Sequence, residues 1–174
     1  MNRECAQFVR SLNYSRFSVL EISGERWRDF GFANYRNVQF PDYDLCTAPL
    51  SGEAFDLIIA EQVLEHVPQP RRAVHNVFQM LKPGGFFVMN TPFLIRVHEV
   101  PADYFRWTEA GLKQLLGEGG FPEDKIQTGS WGNRACVRAN FNAWSEWIPW
   151  LDSLDNEPQF PVVVWAFAQK TYRA

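Results

Sequence analysis

The stretch "HEVPADYFRW", residues 98–107, crowds several chemically capable side chains into one short segment. His98 has an unperturbed pKa near neutrality, so it can take a proton from a hydroxyl at working pH. Arg106 can hold a carboxylate or phosphate bidentately, and Tyr104 and Trp107 can wall an apolar pocket. The same residues also suit a structural loop, in which His98 bonds Asp103 and Arg106 staples the segment to Asp103 or Glu99. A second stretch, "VLEISGERWRDFGF" at 19–32, reads as a strand entering a nucleotide-binding turn that lacks most of the glycines such a turn carries.

Residues so far apart in the chain share a site only if the fold collects them. "FSVLEIS", "YRNVQF", "AFDLIIA" and "FFVMNTP" read as strands, and the third is continuous enough to be central in a parallel sheet. Helical spacing predicts an amphipathic helix over 2–13, with Cys5, Phe8, Val9 and Leu12 on one face. It predicts another over 71–82 with Val74, Val77, Phe78 and Leu81 together, stopped by "KPGG". Thr108 can cap a further helix that Gly117, Gly119 and Gly120 end. "KIQTGS" and "PVVVWAFAQK" supply the last two strands.

Strands alternating with helices argue for an α/β doubly wound, Rossmann-like sheet, mostly parallel with an antiparallel last strand. Ligands of such sheets lie beyond the carboxyl ends of the strands, so the segments following Ile22, Phe40, Ala60 and Thr91 should line one crevice. Only "PDYDLCTAPLSGE" separates the second strand from the third. That is room for one crossover and not for an extra strand with two helices, so a sheet trimmed by one edge strand is expected.

A length of 174 residues, 46% hydrophobic and 21% charged with a net charge of −3, fits one globular domain and no disordered chain. The expected layout is a single domain over 1–174: an N-terminal helix at 1–16, a core at 17–135, and a Trp-rich segment with the final strand at 136–174. No basic block offers a nucleic-acid footprint. Cys5, Cys46 and Cys136 are odd in number and lack CxxC spacing, which points to reduced thiols and neither disulfides nor a zinc site. No apolar run is long enough to span a membrane, so a cytoplasmic protein is expected.

The run "FDLIIAEQVLEHVPQPRRAVHNVFQMLKPGGFFVMNTPF" resembles the class I S-adenosylmethionine-dependent methyltransferases of the small-molecule type, and "HEVPADYFRWTEAGLKQLL" is similar to one subgroup of them. The resemblance covers roughly residues 17 to 135. It implies S-adenosyl-L-methionine as cofactor and methyl transfer to an oxygen or nitrogen of a small molecule. It puts Glu21 beside the methionine part of the cofactor, in a turn that usually reads acidic-x-Gly-x-Gly and here reads "EISGE", with Ser23 and Glu25 where glycines are usual and Gly24 between them.

By the same resemblance the ribose-holding acidic residue aligns with Gln39, followed by Phe40, and Asp42 or Asp44 could substitute. Ala60, Glu61 and Gln62 pass alongside the sulfonium end, whereas Glu65 and His66 read as scaffold that fixes the loop. His98, Tyr104 and Arg106 are the acceptor-side candidates, with Asn133 and Arg134 as weaker ones. His75 reads as a surface or packing residue of the helix over 71–82. Trp144, Trp147 and Trp150 could cover the pocket, form a dimer face or simply pack in the core at a helix edge, and a partner subunit could complete the pocket instead. The altered turn leaves open a catalytically weak or inactive relative that serves as a binding or scaffold subunit. A nicotinamide oxidoreductase would need a GxGxxG turn, which the sequence lacks.

Overall fold

The computed structural model describes residues 3–99, 101–141, 148 and 153–171. Six strands form one sheet: β1 (Ser18–Ile22), β2 (Asn34–Val38), β3 (Phe55–Glu61), β4 (Leu81–Pro92), β5 (Ile126–Trp131) and β6 (Val163–Gln169). Their order is β2-β1-β3-β4-β6-β5. The first four run parallel, and β6 is antiparallel to both β4 and β5. The helices are α1 (Arg3–Ser11), α2 (Pro70–Met80), α3 (Glu109–Gly119) and α4 (Arg134–Ala139). The expected mostly parallel sheet with an antiparallel last strand is observed, and β2 forms its edge.

Alternation along the central strands sets two cores, because successive side chains leave a strand on opposite faces. Val19, Leu57, Ile59 and Val88 pack under α1 through Cys5 and Val9. Leu20, Ile22, Ile58, Ala60, Phe87 and Met89 pack on the other face with Val74 and Val77 of α2 and Leu112 and Leu116 of α3. Thr108 caps α3 by accepting from the Gly111 amide at 3.1 Å, as its position predicts.

Parallel neighbours are normally joined by a helix, yet neither of the first two crossovers forms one. Residues 23–33 cover the α1 face with aromatic rings: Trp27 to Phe30 at 4.8 Å, Phe30 to Phe32 at 5.3 Å and Tyr14 to Phe30 at 5.2 Å between centroids. Gly24 and Gly31, at φ 114° and 97°, turn the chain left-handed at both ends of this segment, a conformation no helix can continue. The β2–β3 crossover instead drops Leu45 and Cys46 into the core, where buried Asn76 of α2 donates to the Leu45 carbonyl at 2.7 Å.

Two expected boundaries shift. Helix α2 ends at Met80 rather than Lys82, and β4 begins at once with an irregularity between its Leu81 and Phe86 pairings. Gly85 sits in that bulge, where a Cβ would stand 3.0–3.1 Å from the carbonyl oxygens of Lys82, Phe55 and Asp56. Strand β2 ends at Val38, which leaves Gln39 and Phe40 beyond the sheet. Among the described residues no helix is long and apolar enough to cross a membrane. Trp144, Trp147 and Trp150 lie outside the described residues.

Candidate functional site

At the end of β1, Glu21 is 3% exposed, and its carboxylate accepts from the Arg26 and Trp27 amides at 3.1 Å each and from the Tyr35 hydroxyl at 2.5 Å. Three internal donors thus engage the group expected beside the cofactor, and its role is to close the turn. Burial, with this carboxylate next to it, pushes the Tyr35 phenol well above its ordinary value. In the turn, Ser23 and Gly24 take positive φ of 63° and 114°. Ser23 is exposed, and Glu25 accepts from Arg28 and Asn37.

Beyond β2, Gln39 is exposed and the Phe40 ring is 65% exposed, ahead of a cis peptide to Pro41. Asp44 is exposed, and its Oδ1 accepts from the Cys46 amide at 2.8 Å, which makes it a turn former. Ala60 is fully buried, its methyl packed in the core at the end of β3. Glu61 and Gln62 leave β3 joined through Asn90, which donates to Glu61 Oε1 at 2.7 Å and accepts from Gln62 Nε2 at 2.8 Å. Trp27 Nε1 donates to Glu61 Oε2 at 3.0 Å, and burial raises the Glu61 pKa. Gln62 is held at φ 56°, a conformation costly for a residue with a side chain.

Glu65 and His66 form a 3-10 turn after β3, and the 93–107 connection brings His98 against them. His66 and His98 meet edge to face with centroids 4.9 Å apart. Their Nε2 atoms stand 3.8 and 3.7 Å from Glu65 Oε1. Glu65 is fully buried, and Thr91 Oγ1 donates to its Oε2 at 3.3 Å. The cluster therefore lies at the carboxyl ends of β3 and β4. Desolvation raises Glu65 to about 7 and lowers His98 below its ordinary value. The sequence alone marks Glu65 and His66 as scaffold; their adjacency to each other is visible there, but the return of His98 along the 93–107 connection is not.

Asp103 organises the rest of this connection. It accepts from the His98 amide at 2.9 Å and from Arg106, whose guanidinium makes two bonds to it and also reaches the Phe105 and Arg96 carbonyls. Arg106 is thus committed to the loop. Tyr104 is 53% exposed and donates its amide to the Glu65 carbonyl at 2.7 Å. Asn133 caps α4 and ties it to the Ser153 and Asp155 carbonyls, and Arg134 pairs with Glu157, so both are structural. His75 is exposed on α2. A groove of about 350 Å³ opens next to β4, lined by Phe93, Thr108, Glu109, Ser130 and Gln159 among others.

Residues 8–89 match the family model described as a methyltransferase domain. The chain is 32% identical to a Mycolicibacterium smegmatis protein named "Probable S-adenosylmethionine-dependent methyltransferase" over 68% of this chain and 45% of that one. It is 36% identical to a ubiquinone biosynthesis O-methyltransferase of Coxiella burnetii, over 46% of this chain and 44% of that protein. In fold it superposes on an S-adenosylmethionine-dependent methyltransferase of Mesorhizobium loti with a TM-score of 0.65 at 16% identity, covering 97% of both chains. Together these matches support a class I S-adenosylmethionine-dependent methyltransferase. The chain spans under half the length of the two curated relatives.

The methyltransferase cofactor in this family is S-adenosylmethionine, and the rim fits it on two observations. Ser23 and Gly24 hold the turn after β1 at positive φ, and an exposed amide, Gln39, and an exposed ring, Phe40, follow β2, groups able to bond a hydroxyl and to stack on a purine.

Proposed function

We propose that this methyltransferase transfers a methyl group from S-adenosylmethionine to an oxygen or nitrogen of a small molecule. When bound, the cofactor supplies an electrophilic methyl on a sulfonium. The Ser23–Gly24 backbone receives its methionine end, the Gln39 amide bonds the ribose hydroxyls, and Phe40 stacks on adenine. Gln62, fixed through Asn90, orients the reacting end. Glu21 acts indirectly, by holding the Arg26 and Trp27 amides and with them the shape of the turn. The acceptor stands before the Glu65–His66–His98 cluster, where a neutral imidazole can face its hydroxyl or amine. Tyr104, half exposed beside that cluster, lines the approach, and Arg106 positions His98 through Asp103.

The observation that carries this reading is the gathering of polar and aromatic groups at one rim: Ser23, Gly24, Gln39 and Phe40 follow β1 and β2, and Gln62 with the Glu65–His66–His98 cluster stands at the ends of β3 and β4. The name of the Coxiella burnetii relative, an O-methyltransferase, supports an oxygen acceptor. The test is calorimetry with S-adenosylmethionine, followed by a screen of phenols, sugars, hydroxy acids and amines for release of S-adenosylhomocysteine. Binding with turnover on one acceptor class supports the reading. Absence of heat at millimolar cofactor sinks it in favour of a binding or scaffold subunit, a role favoured by the engagement of Glu21 and by an amide at position 39 in place of a carboxylate.

A further inference from the structure

Three candidate ligand atoms converge beyond β3 and β4. Glu65 Oε1 is buried and accepts no hydrogen bond among the described residues, although the side chain is wholly enclosed. The Nε2 atoms of His66 and His98 approach this same oxygen to 3.8 and 3.7 Å, too far for hydrogen bonds to it. The opposite ring nitrogens face acceptors. His66 Nδ1 lies 2.5 Å from the Ala102 carbonyl oxygen, so it carries the proton and donates it. His98 Nδ1 lies 3.3 Å from Asp103 Oδ2, and Asp103 is in turn held by Arg106 and by the His98 amide. With its proton on Nδ1, His66 turns the Nε2 lone pair to the side of the Glu65 carboxylate, and His98 Nε2 lies on that same side.

A buried carboxylate oxygen that accepts nothing, with imidazole nitrogens beside it, is unfavourable unless something positive lies among them. We propose that Glu65, His66 and His98 form a binding site for one first-row divalent cation. The three ligand atoms lie within 4.8 Å of one another. Movements of about an ångström or less bring them to the roughly 2.0–2.2 Å of metal–nitrogen and metal–oxygen bonds.

The donor set of two imidazoles and a carboxylate suits zinc, cobalt(II) or manganese(II) better than magnesium or calcium, which favour oxygen ligands. The Ala102 carbonyl on the outer ring nitrogen of His66 is a support that ligating histidines use to fix tautomer and orientation, and the Asp103 carboxylate stands 3.3 Å from the outer nitrogen of His98. Three protein ligands leave coordination positions open, and a hydroxyl of the acceptor is the group of matching chemistry. This last step rests on the methyltransferase reading; the cation site does not.

The test uses the full chain, stripped with a chelator and then titrated with cobalt(II) chloride. One equivalent is expected to bind, with visible ligand-field bands of a four- or five-coordinate nitrogen and oxygen site and a rise in Tm. His98→Ala, which lies on a connection outside the core, should remain folded and lower cobalt affinity at least about 10-fold. Asp103→Asn, which weakens the Arg106 pair that holds the connection and neutralises the carboxylate beside His98, should lower it about 10-fold. Glu65→Gln should abolish the bands while circular dichroism reports the fold.

No binding of cobalt(II) or zinc(II) at millimolar concentration by the folded chain overturns the proposal, as does unchanged affinity in His98→Ala. Calorimetry with S-adenosylmethionine on the stripped chain separates the two readings. Cation binding without cofactor binding leaves the metal site standing and removes methyl transfer; the converse removes the metal site alone.

Discussion

Trp27 donates its indole N–H to Glu61 Oε2 across 3.0 Å, which fastens the helix-free β1–β2 crossover to the end of the neighbouring strand. The ring is 3% exposed and packs on Phe30 and Phe32, so one residue covers the sheet and holds the strand ends together.

Trp27→Phe keeps an aromatic ring and removes the donor. Loss of a partner for a largely buried carboxylate should lower stability by about 1–3 kcal/mol. Urea unfolding checks this, and a variant as stable as the parent would show the bond to be idle.

Burial raises the Glu61 pKa above its ordinary value. For a carboxylate shifted in that direction, the associated stability is fully present below the unfolded value near 4.5 and is lost as pH rises through the folded value. As pH rises from about 4.5 the parent should therefore lose stability that Glu61→Gln retains. Parallel curves for the two proteins in urea melts above that pH would contradict the assignment.

Two glycine replacements should move stability in opposite directions. Gly85→Ala drives a methyl onto three backbone oxygens that cannot turn aside, and should cost about 1–3 kcal/mol. Gly117→Ala, in α3 with no neighbour within 4 Å of the new carbon, should add about 0.5–1 kcal/mol through helix propensity. Thermal melts of both variants decide the matter.

Phe40→Ala should weaken cofactor binding about 3- to 10-fold, the range of an aromatic stacking contact, and leave Tm unchanged because the ring is mostly exposed. Gln39→Asp should tighten binding several-fold, since a charged acceptor strengthens bonds from ribose hydroxyls. Calorimetry with S-adenosylmethionine measures both, and equal affinities across the three proteins would remove these residues from the nucleoside subsite.

The strands were legible where apolar residues run on without interruption, as in "AFDLIIA", because a buried central strand needs nothing more to declare it. Helix α3 was legible from Thr108 and its terminal glycines. Residues 23–33 were not, since Trp27, Phe30 and Phe32 follow no helical or strand period, and their packing depends on Tyr14 and α1. The site divided in the same way. Strand-end positions 21, 39 and 61 could be found by alignment of pattern, but their hydrogen-bond partners could not. Glu21 is held by amides five and six residues on and by a phenol on the next strand. The meeting of Glu65 with His98 depends on how residues 93–107 fold back over the strand ends, which local spacing does not encode.

The grip of Glu21 on the Arg26 and Trp27 amides has a kinetic corollary. A segment already rigid in the free protein has little configurational freedom left to surrender when a nucleoside arrives. Association should proceed in a single fast phase without a slow loop-ordering step, and its thermodynamic signature should carry only a small entropic penalty.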